Sequence, residues 1–303
     1  MSLDTDHFLD IDDLSAAELE RVLDRAAALK WGEEDESDLL ADRTMGMLFE
    51  KPSTRTRISF ETGMTRLGGH AVFLGPDDIQ LGHGEPLKDT SRAVSRYVDV
   101  VMARMFEHGD IEELAAYSSV PVVNGLTDDA HPCQTLADLL TVREAFGPLD
   151  DGVSVAWVGD GNNVGQSFVV GAALTGLDLT VCTPPGYGMG DDVLDRAEAL
   201  GGAPTVVDDP ERAVADADVV YTDVWVSMGQ EDRREEKLAA FEGYQVNEEL
   251  LAGTDAKLMH CLPAHRGEEV TDEVLESDRA LVWDQAENRL HAQNGLLVEL
   301  LGS

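Results

Sequence analysis

From residue 153 onward the chain repeats one pattern. Short apolar runs at 153–158, 179–183, 205–207 and 219–224 alternate with stretches of helical spacing, first through Leu174, then at 193–200 and 211–217. Strands always separated by helices cannot pair as hairpins, so this order predicts parallel strands, right-handed crossovers and a doubly wound sheet with helices on both faces. Further strands at 257–260 and 280–282 complete that sheet. The first half carries the same alternation, with apolar runs at 45–49, 71–74, 98–102 and 120–123 and helices at 86–97 and 111–117. A capping box at Ser15-Ala-Ala-Glu18 opens a helix whose Leu19, Val22, Leu23, Ala26 and Leu29 share one face. At 303 residues, two cores fit more comfortably than one. A helix over 134–146, broken by Gly147-Pro148, is the expected bridge, and a last helix over 287–301 offers Leu290, Leu297 and Leu301 for packing back on the first half. The expected fold is α/β: two doubly wound parallel-sheet domains, 1–147 and 148–286, joined by two interdomain helices with an active-site cleft between them. Residues 287–303 are expected to return to the first domain.

Charge narrows the partners. Sixty acidic side chains stand against 22 basic ones, a formal net charge of −38. Such a field repels nucleic acid and anionic membrane surfaces, and its self-repulsion loosens a fold unless salt screens it. The composition therefore suggests adaptation to molar intracellular salt, where the Debye length falls to about 3 Å. Arginines that persist in such a chain are informative, above all Arg55, Arg57, Arg104 and Arg289. Cys133, Cys182 and Cys261 are far apart and form no C-x-x-C, which suits a reducing compartment and argues against structural zinc. The N-terminus lacks the basic-then-apolar pattern of a signal peptide and no run approaches 18 apolar residues, so a soluble, cytoplasmic protein is expected.

The segment 49–61, FEKPSTRTRISFE, sets Ser53, Thr54 and Thr56 beside Arg55 and Arg57 at the mouth of a helix. Pro52 ends an extended stretch, Ser53 suits an N-cap, and Ile58, Phe60, Met64 and Leu67 continue in helical steps to Gly68 and Gly69. A helix N-terminus leaves N–H groups unpaired and carries partial positive charge, so an anion there gains amide, hydroxyl and guanidinium donors together. Simple capping is the bland alternative; two arginines in so acidic a chain weigh against it. Arg104 follows the 98–102 run, where parallel sheets place ligand-binding groups.

Other segments are weaker singly. In GDGNNVG the glycines Gly159, Gly161 and Gly165 are spaced G-x-G-x-x-x-G, and the next strand ends in Thr183-Pro184-Pro185 with no acid for a ribose, which disfavours a dinucleotide. The turn is expected instead to expose Asn162 and Asn163. His131-Pro132-Cys133-Gln134 opens the bridging helix, Asp223 stands near a strand end before the loop Ser227-Met228-Gly229, and His260-Cys261-Leu262-Pro263 follows another strand. A Gly, Asp and His loop over 75–86, which contains Gln80, is too polar for core.

These segments together with MARMF, HPCQTLADLLT, DVWVSMGQE and HCLPAHRGEEV resemble the carbamoyltransferase family from about residue 7 to the C-terminus, in order and spacing. STRTR and HPxQ mark the superfamily; SMG and HCLP mark its ornithine branch. The resemblance implies transfer of a carbamoyl group from carbamoyl phosphate to the δ-amine of L-ornithine, without metal or cofactor, with residues 1–147 binding carbamoyl phosphate and 148–286 binding ornithine. It implies that Ser53, Thr54, Arg55, Thr56, Arg104 and Gln80 bind the phosphate, Gln80 being lent by a neighbouring subunit. Thr56, Arg104 and His131 would donate to the carbonyl oxygen, while Gln134, Cys261, Leu262 and Arg289 hold the carbamoyl amide. Asn163, Asp223, Ser227 and Met228 match the positions that hold ornithine, and Cys261 lies beside the attacking nitrogen. A homotrimer or an assembly of trimers is implied. The alternatives are a sister enzyme acting on putrescine, N-acetylornithine or aspartate, and a binding homologue without turnover.

Overall fold

The computed structural model describes residues 3–76, 78 and 84–302. The chain divides into two units, one made of Met1–Leu140 with Glu287–Ser303 and the other of Thr141–Ala286.

In the first unit the capping box forms as its residues require. Ser15 Oγ accepts from Glu18 N, Glu18 returns the bond to Ser15 N at 2.9 Å, and α1 (Ala16–Lys30) buries Leu19, Val22, Leu23, Ala26 and Leu29. Four parallel strands follow: β1 (Thr44–Phe49), β2 (His70–Leu74), β3 (Val100–Arg104) and β4 (Val122–Leu126). Their spatial order is β2-β1-β3-β4, with α2 (Thr54–Arg66), α3 (Leu87–Val94) and α4 (His108–Tyr117) as the crossovers. Leu48, Val101, Ala103, Ile111, Leu114 and Val122 pack as one core, and each fully buried aliphatic side chain contributes about 1.5–3 kcal/mol. Strand β4 runs beyond the expected 120–123 because Phe8 bridges Val123 and the Asn124 amide donates to Leu9 O at 2.8 Å. Gly125 extends it further: a Cβ there would stand 2.6 Å from the Met102 sulfur.

The second unit is a five-stranded parallel sheet in the order β7-β6-β5-β8-β9. Its strands are β5 (Ser154–Val158), β6 (Asp178–Cys182), β7 (Thr205–Val207), β8 (Val219–Thr222) and β9 (Lys257–His260). Between them run α6 (Asn163–Thr175), α7 (Asp191–Ala199), α8 (Pro210–Val214) and α9 (Arg234–Ala240), and α10 (Asp272–Leu275) follows β9. Tyr221 is fully buried, edge-on to Trp157 at 4.8 Å and to Phe168 at 5.2 Å. The doubly wound expectation holds for both sheets.

One expected strand does not form. At 280–282 only a single bridge pairs Ala280 with Leu258. Leu281 donates to Leu258 O at 2.8 Å and at once accepts from Gln285 N at 2.8 Å, so the last ladder bond and the first helical bond share one residue. Helix α11 (Val282–Leu301) therefore starts at Val282 rather than at Glu287. The boundaries of the two units fall inside α11 and inside α5 (Pro132–Phe146), so a continuous helix carries the chain across each.

Candidate active site

In the first unit β1 and β3 lie in a register that sets Phe49 opposite Arg104. The chain leaving β1 turns into α2 with Ser53 as N-cap, its hydroxyl accepting from Thr56 N at 3.2 Å. Thr54 is exposed, Ser53 and Arg55 are half-buried, and Thr56 is buried. Arg57 is committed elsewhere: it pairs with Glu61 at 3.0 Å and lies 3.7 Å from the centre of the Phe73 ring. Lys51, which the sequence reading passed over, is buried against the Phe106 ring and pairs with Asp128.

His131 and Gln134 stand where β4 gives way to α5, and both are buried. Gln134 bonds at both ends. Its nitrogen donates to the buried Asp138 at 2.7 Å and its oxygen accepts from Arg289 Nη1 at 2.7 Å, while Arg289 Nη2 donates to Thr56 Oγ1 at 3.1 Å. Asp138 thereby fixes which way the Gln134 amide points. Gln293 supports Arg289 from one turn along α11: in the amide orientation that satisfies its neighbours, its oxygen accepts from Arg289 Nη2 at 3.2 Å and its nitrogen donates to Ser59 at 2.7 Å.

Burial, and then the cations Arg289, Arg104 and Arg55, hold the His131 imidazole well below its ordinary range, so it is neutral near pH 7. All three arginines act on one histidine, and Arg289 bonds both Thr56 and Gln134, so cations and uncharged donors share this end of the sheet. The neighbouring Cys133 is inert, its pKa pushed up to about 12 by burial and its thiol donating to Asn124 O. Gln80 lies outside the described residues.

In the second unit the candidate side chains stand at the carboxyl ends of β5, β8 and β9. Asp223 is buried and bonds through both oxygens: Oδ2 accepts from Asn162 Nδ2 at 2.8 Å and Oδ1 accepts from the Cys261 thiol at 3.0 Å. Asn162 is also the N-cap of α6, accepting from Val164 N and Gly165 N. Of the expected asparagine pair, Asn162 thus holds the aspartate, and Asn163 is the first residue of α6. Gly161 permits this turn, since a Cβ there would meet Gly188 O at 2.4 Å.

The Cys261 turn is held from below. His260 and Glu269 are wholly buried and joined at 3.0 Å, and His260 Nδ1 accepts from Leu262 N at 2.9 Å, which assigns its proton to Nε2. That support matters because Leu262 has φ +60, a conformation rare for a branched side chain. Ser227 is half-buried and Met228 exposed.

Donor atoms of Asp223, His260 and Cys261 lie close enough for a cation, as do those of His265, Glu268 and Glu269. In this arrangement they are otherwise engaged: Asp223 by Asn162 and Cys261, His260 by Glu269 and Leu262, Glu268 by Arg234. Asp138, Glu269 and Gln293 were missed by sequence reasoning; Asn162 was expected at the turn, but not its bond to Asp223.

Known proteins match the chain along nearly its whole length. Residues 6–144 match the aspartate/ornithine carbamoyltransferase carbamoyl-P binding domain, and 151–300 match the Asp/Orn binding domain of the same enzymes. An ornithine carbamoyltransferase of Haloquadratum walsbyi is 72% identical over 97% of both chains. One from Methanoculleus marisnigri is 55% identical over 97% of this chain and 96% of the other. The ornithine carbamoyltransferase structure from Pyrococcus furiosus superposes with a TM-score of 0.94 at 48% identity, covering 100% of this chain and 99% of that one. A chain this similar along its whole length, with both domain signatures in order, belongs to the aspartate/ornithine carbamoyltransferase family, on its ornithine carbamoyltransferase side.

Proposed function

We propose that the protein transfers the carbamoyl group of carbamoyl phosphate to the δ-amine of L-ornithine, giving L-citrulline and phosphate. The observation that carries this reading is the Arg289 guanidinium bonded to both Thr56 and Gln134, with a buried His131 held neutral by burial and by Arg289, Arg104 and Arg55. An acyl phosphate needs both parts of such an arrangement: fixed cations for the phosphate and uncharged donors for the carbonyl oxygen.

The phosphate sits at the N-terminus of α2, on Ser53, Thr54, Arg55, Thr56 and Arg104, with Gln80 supplied by a neighbouring subunit. His131, Thr56 and Arg104 donate to the carbonyl oxygen as it becomes an oxyanion, a role in which one donor is worth roughly 3 kcal/mol. Gln134, Arg289 and the Cys261-Leu262 turn hold the carbamoyl amide, its NH2 donating to the oxygens of Gln134 and of the turn. Asp223 takes the α-ammonium of ornithine, and Asn163, Ser227 and Met228 its remaining backbone. The δ-nitrogen lone pair forms the new C–N bond beside Cys261, the C–O bond to phosphate breaks, and the departing phosphate takes up the proton that the nitrogen gives up. Holding amine and carbonyl together supplies much of the rate.

We read the assembly as a homotrimer or a group of trimers, the compartment as the cytoplasm, the route as arginine metabolism and the environment as molar salt. A colorimetric citrulline assay in molar salt, run with L-ornithine, putrescine, N-acetylornithine and aspartate, tests the substrate. Turnover confined to ornithine is expected. Arg55→Ala should lower kcat/KM by about a hundredfold or more, since a guanidinium facing the phosphate is lost; ordinary activity in that variant refutes the phosphate role.

A further inference from the structure

Lys237 lies on α9, 2% exposed, and its ammonium donates in two directions: to Asp160 Oδ2 at 2.6 Å and to Gln230 Oε1 at 2.7 Å. Each acceptor belongs to a different edge of the amino-acid half-site. Asp160 sits in the turn after β5, two residues before the Asn162 that grips Asp223. Gln230 closes the turn at 227–230, its N–H donating to Ser227 O at 3.1 Å. Burial raises the Asp160 carboxyl, Lys237 draws it back down, and the Asp223 charge raises it further, so the two carboxylates feel one another.

A buried ion pair gains little stability over an apolar pair of the same volume. What the ammonium offers here, and an apolar side chain could not, is a donor left over for Gln230. Glycine at 229, with φ +88, leaves the turn little stiffness of its own, and Met228 at its tip is exposed.

We propose that Lys237 is a positioning residue for amino-acid binding: anchored on Asp160, it holds the Ser227–Gln230 turn through the Gln230 side chain at a fixed height beside Asp223. This rests on the reading of Ser227 and Met228 as ornithine contacts. The tether can be cut without disturbing the buried pair, because Gln230 is only half-buried. In Gln230→Leu the bond to Lys237 is lost while Lys237 and Asp160 remain joined. Gln230→Glu keeps an acceptor at the same place.

The full chain is assayed in molar salt as wild type, Gln230→Leu, Gln230→Glu, Ser227→Ala and the double variant Asp160→Asn with Lys237→Met. For Gln230→Leu the melting temperature stays at the wild-type value, the KM for L-ornithine rises about tenfold, and kcat and the KM for carbamoyl phosphate stay within about twofold. Gln230→Glu restores the wild-type KM. The double variant, which removes both buried charges together, remains folded and shows the same raised ornithine KM.

A Gln230→Leu enzyme with normal ornithine KM, beside a Ser227→Ala enzyme with a raised one, overturns the tether and spares the loop's contact role. Normal ornithine KM in both overturns the tether and the loop reading together. A lowered melting temperature with both KM values raised in Gln230→Leu makes the bond merely structural and overturns the proposal as well.

Discussion

At the scale of single residues, the state of His131 decides what its pocket can do. Three arginines would repel an imidazolium, and burial removes the water that would stabilise one. The neutral ring donates one N–H without adding a fourth cation to a pocket that already holds the charge an anion needs. Folding therefore favours the unprotonated form, whereas the unfolded chain takes up a proton as pH falls through about 6.5. His131 thus contributes stability above pH ~6.5 that is lost below it, by about 1.4 kcal/mol per pH unit until the folded-state pKa is reached. His7, depressed chiefly by burial and accepting from Val122 N, adds to the same slope. Denaturant midpoints measured from pH 5 to 7 should fall toward acid, and His131→Asn should flatten part of that fall. An unchanged slope in the variant would mean that His131 titrates normally.

Residue identities were legible where chemistry is dense in sequence, as in STRTR and HPCQ, because hydroxyls, arginines and a histidine lie within a few positions of each other. The residues that hold them were not. Asp138 gains its meaning only once Arg289 meets Gln134, 155 positions earlier, and Lys237 gains its own from Asp160, 77 positions away, pairs that only the folded chain brings together.

At the scale of elements, alternation of strand and helix carried both sheets. Where it failed, the tertiary partner decided. A run of three apolar residues at 280–282 had no room to be a strand, because the helix that follows takes its first carbonyl from Leu281. The short helix α9 escaped notice because its sequence is mostly charged and its one buried polar anchor, Lys237, looks like a surface residue. The turn joining β5 to α6 was read as a place that exposes two asparagines; the closeness of Gly161 to the backbone of Gly188 explains why a glycine is needed. Gly161→Ala should lose about 1–3 kcal/mol, since a Cβ 2.4 Å from Gly188 O and 2.7 Å from Met189 N forces backbone to move. The same shift drags Asn162 off Asp223, so the ornithine KM should rise while that for carbamoyl phosphate does not. Thermal melts and two-substrate kinetics check both parts, and wild-type values for each would show that the approach is looser than described.

Across the whole molecule the dominant quantity is the net charge of −38. Its ion pairs are mostly at the surface, such as Arg43 with Asp99 and Arg233 with Glu236, and pairs of that kind are worth little. They leave the greater part of the acidic excess to be screened by solvent ions. Melting temperature should therefore climb between low and molar salt, and a flat or falling curve would refute adaptation to high salt.

The two-unit division has a further consequence for how the protein is made. The first unit is discontinuous in sequence: its sheet is complete by Leu126, yet Arg289 and Gln293 arrive on α11, after the whole second unit has been synthesised. A chain emerging from the ribosome can fold its first sheet early but has no guanidinium to bridge Thr56 and Gln134 until the whole second unit and Arg289 have been translated. A chain terminated before Arg289 thus lacks the bridge between Thr56 and Gln134, and possession of that bridge certifies that the whole second unit has already been translated.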